Sequence, residues 1–315
     1  MLEPLFLQPV FKERIWGGTT LRDGFGYEIP NDKTGECWAI SAHPNGPSVI
    51  ENGPYAGMSL DKLWKEQPQL FGNPKEEGFP LLTKILDANM DLSVQVHPDD
   101  SFAKVNENGE RGKTECWYII DCKEGAEMIL GHTAQTKEEF VKMINERKWI
   151  DLLQRVKIKP GDFFYVPSGT IHALCEGTLV LETQQNSDTT YRVYDYDRCD
   201  DKGKLRDLHL DKAIEVTTIP HQAASIKTTI ETKEDATITT YVQSEYFSVC
   251  KWDVNGTTSF NYNDHYLLLS VVNGNGSLKH GVNSYSLKKG AHLIVPIGMG
   301  EFELEGDCQV IVSHS

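Results

Sequence analysis

Lys159 to Leu174, KPGDFFYVPSGTIHAL, reads as a strand, a tight turn and a second strand. Phe163, Phe164, Tyr165 and Val166 form an aromatic and β-branched run of the kind that suits a pleated, half-buried surface. Pro167, Ser168, Gly169 and Thr170 close it with turn chemistry. A single histidine, His172, then stands between Ile171 and Ala173. Successive strand side chains point to opposite faces, so His172 is expected to face away from both apolar neighbours. Two readings are open here: a proline–glycine turn beside an ordinary core histidine, or a histidine aimed into a site.

The order is glycine, five residues, proline, one residue, glycine, two residues, histidine. This spacing resembles the second signature of the cupin barrel, whose histidine is a metal ligand on an inward-facing strand position. A second copy lies at Lys289 to Gly300, KGAHLIVPIGMG, where Gly290, Val295, Pro296 and Gly298 match Gly161, Val166, Pro167 and Gly169 in register. Glu301 occupies the place of His172. The repeat predicts a duplicated barrel in which only the first copy holds a metal.

The chain has 315 residues and a net charge of −15, from 46 acids against 31 bases. Its acids are spread along the sequence with no basic stripe among them, which argues against a nucleic-acid partner. An anionic substrate must then be met by a few local Lys or Arg residues, because the overall field repels it. No apolar run reaches the roughly 18 residues of a membrane span, and mean hydropathy is −0.41. MLEPLFLQPVFKER lacks the basic and apolar regions of a signal peptide, so a cytoplasmic protein is expected. Seven cysteines without a Cys-x-x-Cys pair suggest neither a disulfide framework nor a zinc knuckle.

Short strand-like pieces fill residues 1–58, among them Trp38 to Ser41, and Ser59 to Leu70 reads as a short helix capped by Ser59. Phe79 to Asp100 reads as two strands around Asp87-Ala88-Asn89. In the second of these, Gln95 and His97 share one face and Val94 and Val96 the other. After a polar loop, Glu115 opens the β run Cys116 to Ile120. Thr136 to Val156 has a capping box at Thr136 and Glu139 and an apolar stripe at Phe140, Val141 and Ile144, which predicts a small helical insertion outside the barrel. From Thr228 onward, short strands alternate with turns such as Asn273-Gly274-Asn275-Gly276. The expected architecture is mainly β: a bicupin of two jelly-roll barrels. Residues 1–230 form the metal-binding catalytic barrel with its insertion near 136–156, and residues 231–315 form a degenerate barrel without a metal site.

Gln95, His97, Glu115 and His172 offer two imidazoles, a carboxylate and a carboxamide oxygen. Mixed nitrogen and oxygen ligands suit Zn²⁺, and also Mn²⁺, Fe²⁺ or Ni²⁺. Three segments then carry a more specific resemblance: FPLLTKILDANMDLSVQVHPDD, GKTECW, and HALCEGTLVLETQQNSDTTYR with His172, Gly177, Glu182, Ser187, Asp188 and Arg192. Together they resemble the type I mannose-6-phosphate isomerases (phosphomannose isomerases) of the short bacterial form.

That resemblance implies one zinc per chain on Gln95, His97, Glu115 and His172, with Arg192 as the active-site arginine and Lys113 as a substrate contact. It implies an aldose–ketose isomerase acting on a sugar phosphate, as a monomer or small homo-oligomer with no membrane or nucleic-acid partner. The sequence departs from longer members at Gly112, where they carry a histidine, so the general base is left unassigned. An ion pair with Asp188 or Asp195 is the structural alternative for Arg192. An iron-dependent cupin dioxygenase or oxidase and a non-catalytic sugar-binding cupin are the competing readings of the fold.

Overall fold

The computed structural model describes residues 2–199 and 203–315. Antiparallel sheets dominate it, as the sequence leads one to expect. A six-stranded sheet runs in the order Phe163–Val166, Glu115–Cys122, Thr178–Gln185, Leu81–Ala88, Thr34–Ile40, Val10–Gly18. A five-stranded sheet runs Tyr191–Tyr194, Val94–Val96, His172–Leu174, Glu127–His132, Leu153–Lys157. Trp16, Leu86, Trp117, Met128, Leu174 and Val180 fill the space that the two enclose.

The faces follow the period of two. On the five-stranded sheet Val94, Val96, Ile171, Ala173, Tyr191 and Val193 turn outward, under Phe140 and Ile144 of helix Lys137–Asn145 and Ala213 of helix Leu210–Val216. Gln95, His172 and Arg192 are left on the inner face. The six-stranded sheet is apolar on its outer face too: Cys37, Ile85, Cys116, Tyr118 and Leu181 pack against Tyr241, Phe247, Val249, Leu268 and Ile294 of the second half. Burial on both faces is why its strands read as nearly continuous apolar runs.

The second half builds a nine-stranded sheet around Trp252, Phe260, Leu269, Leu278, Phe302 and Leu304. Its main strands are long, Ser248–Tyr262, Leu267–His280 and Gly300–His314, where short ones were expected. Asn273 to Gly276 is not a turn but lies inside Leu267–His280. A register shift between Val271 and Asn273 absorbs the irregularity. At Gly274 the strands approach so closely that a Cβ would meet the Asp307 carbonyl oxygen at 2.1 Å.

The chain does not divide cleanly between the barrels. Thr229–Lys233 crosses the expected boundary at 230/231 and pairs with Ala236–Gln243, and Leu5–Gln8 joins the same sheet by pairing with His292–Val295. The repeated turns do match in backbone. Gly161 and Gly290 have φ of +90° and +88°, and Gly169 and Gly298 have +81° and +75°, values that glycine adopts without strain.

Other local expectations are corrected. Thr136 caps its helix by accepting from the Glu139 amide, but the helical region stops at Leu152, and Leu153–Lys157 is a strand on Glu127–His132. Leu60, Leu63 and Trp64 are buried as their spacing requires, while the Ser59 side chain makes no capping bond. Helix Asp100–Asn106, capped by Asp99, went unread because Pro98 and two aspartates look like loop. Phe163–Val166 and His172–Leu174 lie in different sheets, so Pro167 to Gly169 turns a corner of the barrel and closes no hairpin.

Candidate active site

Two rows of side chains face each other across the first barrel. On the five-stranded sheet Gln95 is the cross-strand neighbour of both His172 and Arg192. On the six-stranded sheet Glu182 is the neighbour of both Lys84 and Trp117. Glu115 opens its strand at the end nearest His97.

The four residues expected to bind metal come together. His172 Nε2 lies 3.2 Å from Glu115 Oε1, and His97 Nε2 lies 3.4 Å from Glu115 Oε2. Among the described residues, His97, Glu115 and His172 are the one group of three His, Cys, Asp or Glu ligand atoms that lie within 4.8 Å of one another. Each imidazole donates its Nδ1–H to a carbonyl at 2.9 Å, His97 to Thr189 and His172 to Thr170. That fixes the tautomer and turns both Nε2 lone pairs inward, the arrangement that orients a ligating histidine. Burial, followed for His97 by the charge of Lys113, pushes its imidazole down to about 3, and burial lowers His172 as well. Both rings are therefore neutral and able to ligate.

Glu115 is fully buried, and against its oxygens lie the Lys113 ammonium at 3.0 Å and the two histidine Nε2 atoms. Burial would raise its pKa, but Lys113, His97 and His172 hold it well below the usual carboxylate range. A buried ionised carboxylate facing two imidazole lone pairs is a donor set that fits a divalent cation. Gln95 differs from expectation in one respect: its Nε2 faces His172 Nε2 at 3.3 Å, giving that lone pair a donor. Half a rotation of the carboxamide places Oε1 there instead.

Lys113 is also buried, with Nζ 3.0 Å from Glu115 Oε2, 3.2 Å from His97 Nε2 and 4.0 Å from Glu182 Oε1. Burial alone would lower its pKa, but Glu115 and Glu182 raise it above the ordinary value. Its ammonium is the cation toward which these lone pairs already point.

Above the cluster opens a cavity of about 360 Å³, lined by Gln95, Lys113, Glu182, Arg192, Lys84 and Glu36, with Arg14, Arg206, Asp188 and Trp16 toward the rim. His97, Glu115 and His172 lie behind its wall. Arg192 donates to Ser93 Oγ and the Asp207 carbonyl. Its alternative partners are otherwise engaged: Asp195 pairs with Arg198 and Arg206, and Asp188 accepts from Asn45. Arg192 thus brings a guanidinium with no carboxylate partner among the described residues, although burial and then Arg206 lower its pKa.

Glu182 is the residue that the sequence reading left unassigned. Trp117 Nε1 donates to Oε2 at 2.9 Å, while Oε1 lies 3.6 Å from Lys84 Nζ. Burial, then the charge of Glu115, raise its pKa against the pull of Lys113 and Lys84. Glu36, in the same cavity, goes the other way: burial opposes ionisation, but Lys84 and Arg14 pull it down to about 2. Glu182 is thus the carboxyl of this cavity with the raised proton affinity, and Glu36 the one with the lowered. A sequence signal existed, an acid directly after the apolar run Leu179 to Leu181 and on the same strand face as Val180. Lys84 inside Leu81–Ala88 is the same kind of anomaly.

In the second barrel Glu301, at the place of His172, is exposed. Against known proteins, residues 5–139 match the model of the phosphomannose isomerase type I catalytic domain, and residues 237–315 match that of the mannose-6-phosphate isomerase cupin domain. Over 312 residues the chain is 58% identical to mannose-6-phosphate isomerase ManA of Bacillus subtilis, covering 99% of each chain. It is 52% identical over 315 residues to the mannose-6-phosphate isomerase of Streptococcus mutans, covering 100% of this chain and 99% of that one. A crystal structure of mannose 6-phosphate isomerase from Bacillus subtilis superposes with a TM-score of 0.98 at 58% identity, with full coverage of both chains. Phosphomannose isomerase variants from Salmonella typhimurium share the fold at a TM-score of 0.80 and 16% identity.

Proposed function

The chain belongs to the type I phosphomannose isomerases and has their activity on mannose 6-phosphate; from that premise we propose that it makes fructose 6-phosphate by a metal-assisted proton transfer with Glu182 as the base. The carrying observation is that two neutral imidazoles and an ionised carboxylate face inward directly behind the cavity that Glu182, with its raised pKa, helps to line. Gln95, His97, Glu115 and His172 would hold one divalent ion; their nitrogen and oxygen donors suit zinc among other divalent metals, and the family resemblance implies zinc. When bound, that ion supplies Lewis acidity toward the sugar's O1 and O2.

The chain's own groups account for the proton. Glu182 Oε2 is tied to Trp117, so Oε1 takes the proton from C2 of the open-chain aldose. The C–H electron pair forms the C1–C2 double bond, and the carbonyl π pair moves onto O1. Glu182 then returns the proton to C1, while the proton on O2 passes to O1, leaving the ketone at C2. Lys113 and Arg192 stabilise the charge that develops on the oxygens and the charge of the phosphate. A guanidinium stays protonated, so Arg192 acts as a fixed cation and not as the base.

A cytoplasmic location suits an enzyme whose described cysteines are all free thiols; among the described residues no helix is long and apolar enough to cross a membrane. The test is formation of fructose 6-phosphate by metal-loaded and chelator-stripped protein. Loss on stripping with recovery on zinc addition is expected. Full activity after verified metal removal refutes the metal role, and oxygen consumption without isomerisation would favour the dioxygenase reading.

A further inference from the structure

Lys113 belongs to no strand or helix. It sits in the stretch between helix Asp100–Asn106 and the strand that begins at Glu115, where no sheet ladder fixes the backbone. A lysine side chain has several rotatable bonds, so its ammonium stands in one place only if the backbone beneath it does. Three consecutive amides of this stretch nevertheless have partners. Gly112 N donates to Asp100 Oδ1 at 2.7 Å, Lys113 N to the Pro98 carbonyl at 3.0 Å, and Thr114 N to Gln185 Oε1 at 2.9 Å.

The outer two acceptors are themselves joined. Gln185 Nε2 donates to Asp100 at 3.1 Å from Oδ1 and 3.3 Å from Oδ2, and Gln185 N donates to the Thr114 carbonyl at 3.0 Å. Gln185 is buried, and neither it nor Asp100 lines the catalytic cavity. A proline at 114 would have no N–H for Gln185 to accept. Gly112 presses against the same helix start so closely that a Cβ would lie 2.4 Å from Asp100 N.

We propose that Asp100 and Gln185 are positioning residues for Lys113, gripping the amides on either side of it so that its ammonium is held at the floor of the cavity. The inference rests on Lys113 as a substrate contact. Displacement of a catalytic group by about 1 Å is enough for an effect on the order of 100-fold.

A double-mutant cycle on the metal-loaded enzyme tests it, using Gln185→Met, Lys113→Met and the pair, with kcat, KM and metal content read for each. Gln185→Met is expected to lower kcat/KM by about 10- to 100-fold, through whichever of kcat or KM Lys113→Met moves, with metal content unchanged. In the Lys113→Met background the same change should add less than about twofold. Asp100→Ala, at an exposed residue, reports on the grip if Gln185→Met folds poorly, and Asp100→Asn should restore part of the loss by keeping an acceptor for Gly112. An equal loss with and without Lys113, or a fall in metal content, would overturn the proposal. So would wild-type kcat/KM in Gln185→Met and Asp100→Ala when Lys113→Met is impaired. An unimpaired Lys113→Met would instead remove the substrate role on which the proposal stands.

Discussion

Trp117 and Glu182, cross-strand partners on neighbouring strands, are joined by an indole N–H that holds one carboxylate oxygen at 2.9 Å. The donor stabilises the ionised form, so it restrains a pKa that burial pushes up. Trp117→Phe keeps the ring and removes the N–H. Glu182 should then protonate at higher pH, and the acid limb of the kcat profile should move up by about one pH unit. Glu182→Gln should lower kcat by about 10²- to 10⁴-fold. A pH profile unmoved by Trp117→Phe would contradict the link.

His172→Ala and Arg192→Ala should fail in different ways. The first removes an inward Nε2, so metal analysis should show loss of the bound ion. The second leaves the donor set intact and removes a cation from the cavity wall. Its zinc content should equal wild type while kcat/KM falls by about 10²- to 10³-fold. Normal turnover in Arg192→Ala would refute its assignment.

Gly112→Ala is expected to destabilise the protein by about 1–3 kcal/mol, because the new Cβ would lie 2.4 Å from Asp100 N and 2.5 Å from Asp99 C. Both contacts are with backbone, which cannot swing aside. Thermal unfolding is the measurement, and an unchanged Tm would show that the helix start yields.

Acid should weaken the fold through His292. It is buried, accepts or donates between Tyr27 and Ser270, and burial pushes its pKa down to about 3. The unfolded chain takes up this proton near pH 6.5, whereas the folded chain resists it. Its contribution is therefore complete above about pH 6.5 and is lost as pH falls toward 3, at about 1.4 kcal/mol per pH unit. His292→Gln should flatten that part of the stability curve relative to wild type. Equal acid dependence in the two proteins would refute this.

Local pattern was enough for much of the site. Alternation placed Gln95, His172 and the valines beside them on the correct faces, and the repeated glycine–proline–glycine spacing recurs with matching φ values. Long-range pairing was not legible. Glu182 looks like one more polar residue of a mixed strand until Lys84 and Trp117 flank it from strands far away in sequence. The Asn273 to Gly276 misreading has the same origin: glycines there serve close strand approach, which only the partner strand reveals. Arg192 read equally well as an ion pair until Asp195 proved committed to two other arginines.

Leu5–Gln8 joins the two ends of the chain: Leu5 and Phe6 pair with His292–Val295, and Leu7 and Gln8 with Val49–Ile50. During synthesis Leu7 and Gln8 can meet Val49–Ile50 early, but Leu5 and Phe6 must wait for almost the last strand. The two barrels cannot be finished in the order in which they emerge, and closing so long a loop is slow. Until then an apolar strand end stays open, which makes the half-made chain the form most exposed to aggregation.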